Sequence, residues 1–78
     1  MADRDMRFVL NLKDADRHQA LDDFFQQAGR AVLFDDELSD IVSVRAADLS
    51  FRDAVDLLLP ERFQAVEVEG IYHIRHTR

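Results

Sequence analysis

The sequence predicts an α+β fold in the order strand–helix–strand–strand–helix–strand–strand. Three observations carry that expectation. Apolar residues alternate with period two near both ends of the chain and in its middle. Two other stretches carry apolar residues at helical spacing, each opened by a capping residue. The final two strand segments flank Glu69-Gly70, a two-residue loop suited to a tight hairpin.

Met6 to Lys13 is the first strand, with Met6, Phe8, Leu10 and Leu12 on one side. Asp14 and Asp16 are N-cap candidates for a helix that runs to about Ala28 and stops at Gly29. Ala20, Leu21, Phe24, Phe25 and Ala28 fall within an arc of about 140°. Arg17 projects into the middle of that arc, but in the first turn a long side chain can escape to water. Arg30 to Phe34 is the second strand. Asp35 to Asp40 is a polar connection with room for at most one helical turn. Ile41 to Ala46 is the third strand. Ser50 and Asp53 approximate a capping box for a helix over 51–59, ended by Pro60. Phe51, Ala54, Val55, Leu57, Leu58 and Leu59 cover about 200° of it, so it is covered on more than one side. Phe24, Leu21, Leu58 and Ala54 centre the two arcs and are expected to meet.

An internal echo accompanies this order. Phe8, Leu10 and Leu12 recur as Val42, Val44 and Ala46, and Ala20-Leu21-Asp22 recurs as Ala54-Val55-Asp56. Two strand–helix–strand halves packed on each other would produce it.

The chain has 78 residues, 47% of them hydrophobic, which suits one folded domain over 1–78 and not a disordered segment. Residues 1–5 are expected to form a flexible arm and 76–78 a tail. Without cysteine there is no disulfide, thiol nucleophile or thiolate metal site. No apolar run is long enough to insert directly in a membrane. The charged opening Met1-Ala2-Asp3-Arg4-Asp5 has no apolar stretch behind it, so no secretory signal is expected in this sequence. Ten basic against sixteen acidic residues give −6, which disfavours nucleic acid as a partner. Residues 1–40 alone carry −5, which reads first as a solvated surface and second as an acidic face able to steer a basic protein.

The chemical candidates do not converge. His73 and His76 are three apart on a strand and point to opposite faces, and His18 lies on another element. Asp22-Asp23 splay around a helix. Asp35-Asp36-Glu37 lacks calcium-loop spacing and reads as solvated loop acids. Among the hydroxyls, Ser50 is better explained as an N-cap, and no Gly-x-Ser-x-Gly motif surrounds a serine. With two glycines there is no phosphate-cradling loop. The expectation is a protein that is not an enzyme, with no metal and no cofactor.

Asn11-Leu12-Lys13-Asp14-Ala15-Asp16, Gln19-Ala20-Leu21 and Gln27-Ala28-Gly29 resemble the opening of the STN domain. This is the short N-terminal domain of outer-membrane secretins and TonB-dependent transducers. Val42-Ser43-Val44-Arg45-Ala46, Leu49-Ser50 and Ala54-Val55-Asp56-Leu57-Leu58-Leu59 resemble its second half, and Val68-Glu69-Gly70-Ile71-Tyr72-His73-Ile74 its closing hairpin. The likeness spans about residues 6–75. Three positions depart from the family pattern: Arg17 stands where leucine is usual, Asp40 where glycine is frequent, and Pro60-Glu61-Arg62 where the link usually contains glycine.

The resemblance implies two helices packed between two small β-sheets, one of two strands and one of three. It also implies protein binding without catalysis. A secretin-type domain would be periplasmic and would meet an inner-membrane component of a secretion or pilus machine, with a homo-oligomer in the full-length context. A transducer-type domain would bind an anti-sigma regulator. From the residues alone, a freestanding cytoplasmic adaptor fits a chain that is complete, and a small hydrolase comes last.

The closing hairpin leaves two registers open. A two-residue loop pairs Val68 with Ile71 and Val66 with His73. Phe63, Ala65, Tyr72 and Ile74 then share one face; Val66, Val68, Ile71 and His73 share the other. The resemblance puts the first set inward, whereas the echo matches Val66 to Val32 and Val68 to Phe34 and favours the second. If the first set is inward, Val66, Val68, Ile71 and His73 form the candidate protein-binding strip.

Overall fold

A computed structural model describes residues 6–77; the expected arm over 1–5 and Arg78 of the expected tail lie outside them. The elements are β1 (Phe8–Asp16), α1 (Arg17–Gln27), β2 (Ala31–Phe34), β3 (Ile41–Leu49), α2 (Phe51–Leu58), β4 (Phe63–Val68) and β5 (Ile71–His76). They form the α+β order that the sequence predicts. β1 and β3 make a two-stranded antiparallel sheet. β2, β5 and β4 make a three-stranded sheet in that order, with β2 parallel and β4 antiparallel to β5. His76 belongs to β5 and not to a tail.

Local chemistry sets the helix ends. Asp16 caps α1 by accepting from the His18 amide at 3.0 Å, and Ser50 caps α2 by accepting from the Asp53 amide at 3.1 Å. Gly29 follows α1 with φ +72, the left-handed conformation that ends many helices. Asp14 is not a cap. It sits in an irregular stretch of β1 with φ +52, its amide donating to Ser43 Oγ at 2.9 Å.

The echo is a property of the two-stranded sheet. Shifting each residue to its counterpart in the other half, Phe8 to Val42 and so on, converts the pair Phe8–Leu49 into Ala15–Val42 and Leu10–Ala46 into Leu12–Val44. The pair Asn11–Arg45 maps onto itself and marks a local two-fold axis. Each strand carries one bulge, at Asp14 with φ +52 and at its counterpart Asp48 with φ +59. Asparate tolerates left-handed backbone better than most side chains, which suits it to both bends. The helices that follow start at counterpart positions, Arg17 and Phe51.

The symmetry stops after the helices. Val32 and Phe34 of β2 pack against the core, and so do Phe63 and Ala65 of β4, not Val66 and Val68. The link after α2, with Pro60, has a different length from the link after α1, so the inward parity of the next strand changes. The register suggested by the echo is therefore wrong, and the one implied by the STN resemblance is present: Val68 pairs with Ile71 and Ala65 with Ile74, which is fully buried.

The core lies between the sheets. Leu21, Phe24, Ala54 and Leu58, expected at the helix–helix contact, are all buried. Phe24 stacks on Phe51 at 5.5 Å between centroids, and Phe8 meets Phe24 edge-on at 4.9 Å. Two expectations need correction. Leu57 is 43% exposed, so the buried stripe of α2 is narrower than its apolar arc. The connection over 35–40 forms no helical turn and is not wholly polar in role, because Leu38 is buried in the core.

Arg17 does not escape to water. Its side chain is 13% exposed, and Nε donates to Asp40 Oδ1 at 3.0 Å and Oδ2 at 3.1 Å. Nη1 donates to the Leu58 carbonyl at 2.7 Å. The Arg17 amide donates to the Asp40 carbonyl at 3.0 Å.

Candidate protein-binding face

The candidate face is the outer side of the three-stranded sheet. Side chains alternate across a strand, so burial of Val32, Phe34, Ala65, Tyr72 and Ile74 sends their neighbours outward. β-Ladder pairing then arranges the outward residues in rows. Ala31, Ile71 and Val68 form one row; Leu33, His73 and Val66 form the next. Leu33 is 51% exposed, Val68 47% and Ile71 37%. All four expected residues, Val66, Val68, Ile71 and His73, are on this face. Leu33 joins them, which the sequence reading missed. Its signal was present: β2 is apolar at all four positions, as a short strand with two apolar faces would be.

A polar cluster closes one end of the face. Arg75 Nη2 donates to Asp35 Oδ2 at 2.7 Å, and His73 Nδ1 lies 3.3 Å from Asp35 Oδ1. The hydrogen bond from His73, then that from Arg75, holds the Asp35 carboxyl below its ordinary value against opposing desolvation. The amides of Asp35 and Asp36 both donate to the Ile74 carbonyl, at 2.9 and 3.3 Å. Asp36 Oδ2 accepts from the His76 amide at 2.8 Å. These acids therefore fasten the end of β2 to β5 and are not merely solvated loop acids. The two-residue turn at the other end has φ +52 at Glu69 and +84 at Gly70, the pair of positive values that a tight hairpin uses.

The other two histidines and two glutamines of α1 have local structural partners. His18 stacks on Phe34 at 4.0 Å, and the His76 ring lies 4.2 Å from that of Phe63. Gln19 donates to Asp23 at 2.9 Å and Gln26 to Asp22 at 3.4 Å, one turn away in each case. Among the described residues, no group of three or more histidines and carboxylates is placed to hold a metal ion. Among the described residues, no helix is long and apolar enough to cross a membrane.

The crystal structure of the N-terminal domain of the secretin XcpQ from Pseudomonas aeruginosa has the same fold, with a TM-score of 0.71 and 26% sequence identity. The match covers 94% of this chain but only 38% of that one. No family model matches the chain, and no curated relative matches it. The fold is thus that of a secretin N-terminal domain, which fits the secretin branch of the STN resemblance.

Proposed function

We propose that this chain is a non-enzymatic protein-interaction domain of the STN type, acting as the periplasmic N-terminal domain of an outer-membrane secretin. The carrying observation is the outer face of the three-stranded sheet. Val68 and Ile71 lie exposed beside each other in one row, and Leu33, His73 and Val66 make the next, with a charged cluster at one end. Contiguous exposed apolar surface rimmed by polar groups is characteristic of contact surfaces. The likeness to the XcpQ domain supports the secretin branch over the transducer branch. On this reading the partner is an inner-membrane component of a secretion or pilus machine, and the face docks it.

The test is site-specific photocrosslinking from position 68 in the full-length protein in cells. An adduct with an inner-membrane component, lost on Ile71→Asp, supports the reading. An adduct only between identical subunits assigns the face to oligomer packing instead, and no adduct at all overturns it.

A further inference from the structure

We infer that the outer face of the three-stranded sheet carries its own pH switch: an apolar partner docks there while the His73 ring is neutral and is released when the ring takes a second proton. This rests on the reading that a partner docks on that face, and adds a control to it. The sheet register places the switch. β5 is the middle strand, so His73 stands at the centre of the face, with Leu33 beside it on β2 and Val66 beside it on β4. Along β5 its outward neighbours are Ile71 and Arg75. A partner that covers Leu33, Val66 and Ile71 covers His73 as well, and the histidine side chain is already only 21% exposed.

Each strand contributes differently to the charge around the ring. From the end of β2, Asp35 Oδ1 lies 3.3 Å from His73 Nδ1. From β5, Arg75 Nη2 donates to the other oxygen of Asp35 at 2.7 Å. From β4, the facing residue Val66 and its outward neighbours Gln64 and Val68 are uncharged. Asp36 gives its carboxylate to the His76 amide. An ionised carboxylate only accepts hydrogen bonds, so Nδ1 carries a proton in both charge states and the ring titrates at Nε2.

With Nε2 bare, the cluster is balanced, because Arg75 offsets Asp35. A second proton leaves one positive charge in excess, since the single carboxylate is already shared with Arg75. Water solvates that charge in the free domain. Under an apolar partner it loses the water and gains no further carboxylate from this face, which is costly. The docked state therefore excludes the proton. Docking weakens as pH falls through the ordinary range of imidazole titration, around about 6.5. By linkage the loss approaches about tenfold in affinity per pH unit below the midpoint. Asp35 sets the position of the midpoint: its carboxylate favours the imidazolium in the free domain, so neutralising it moves release to lower pH.

The test is photocrosslinking from position 68 of the full-length protein in cell envelopes, buffered at about pH 7.5 and about pH 5.5. The adduct with an inner-membrane component should be at least about threefold weaker at the lower pH. His73→Gln, neutral at both, should crosslink equally at both. Asp35→Asn should need a lower pH for the same loss. Circular dichroism checks that each variant folds, and if His73→Gln does not, Asp35→Asn carries the comparison: an unshifted loss there overturns the switch. Equal adduct at both pH values in the wild type, or a loss retained in His73→Gln, overturns the switch and leaves docking intact. A stronger adduct in acid also overturns it, by giving His73 a partner carboxylate. No adduct at either pH overturns the docking reading, and the switch with it.

Discussion

Arg17, in the first turn of α1, donates from Nη1 to the carbonyl of Leu58 in the last turn of α2, at 2.7 Å. Pro60 explains why that carbonyl needs a partner. The residue before proline is biased to extended backbone, and Leu59 has φ −82 and ψ +139. α2 therefore ends without the left-handed cap that a glycine would supply, and its terminal carbonyls lack those partners. A guanidinium also suits the negative end of the helix dipole. Asp40 holds the same guanidinium from its other side. Arg17 and Asp40, two of the positions that depart from the pattern of the STN resemblance, are thus bonded to each other beside the helix end that precedes Pro60.

Arg17→Met should cost about 1.5–3 kcal/mol, because it removes charge-assisted bonds and strands the part-buried Leu58 carbonyl. Urea denaturation measures this. A loss below about 0.5 kcal/mol would mean that water replaces the guanidinium freely. In a double-mutant cycle with Asp40→Ala the two losses should be non-additive.

Acid should weaken the fold through Asp35 and Asp40. The carboxyl of Asp40 is lowered from its ordinary value of 3.8 chiefly by the hydrogen bond from Arg17, and that of Asp35 chiefly by the bond from His73. A carboxylate with a lowered folded value binds protons more weakly in the native state than in the unfolded one. Its contribution is complete above the ordinary value and is lost as pH falls through the lowered one. Stability should therefore drop below about pH 4. The drop should be shallower in Asp40→Asn, and an identical pH profile for wild type and variant would refute this assignment.

Leu58→Ala should cost about 2–5 kcal/mol. Leu58 is fully buried, and a domain of this size has little stability to lose. A loss under about 1 kcal/mol in chemical denaturation would contradict its place in the core.

Val68→Asp should leave the isolated domain folded, at a cost of about 1 kcal/mol or less, since Val68 is 47% exposed at the end of β4. Circular dichroism and a melting curve decide the matter. Unfolding of this variant would mean that Val68 supports the domain itself and would remove it from the candidate contact surface.

The order of elements was legible because alternation and helical spacing are local properties. The capping positions Asp16 and Ser50 were legible for the same reason. What stayed hidden depended on contacts across the chain. Leu38 lies among polar neighbours, and only the docking of its loop shows that it belongs to the core. Arg17 is polar on an apolar arc, and its partners stand 23 and 41 residues away. The candidate face was half legible. Val66, Val68, Ile71 and His73 follow from the hairpin register, but Leu33 and Asp35 reach them only through the parallel pairing of β2 with β5, which no local pattern encodes.

β5, the last of the described strands, is the middle strand of its sheet. This ordering bears on when the domain can form. A chain emerging from its amino end can pair β1 with β3 and present both helices, yet it has nothing to hold β2 and β4 together until Ile71–His76 arrives. Until then Ile74 is missing from the core and the helices are covered on one side only. The β4–β5 hairpin closes locally and quickly, whereas β2 must find β5 across three other elements, a slow kind of pairing. The three-stranded sheet therefore closes only once β5 is in place, and until then this segment stays open to unfolding machinery, proteases and translocation.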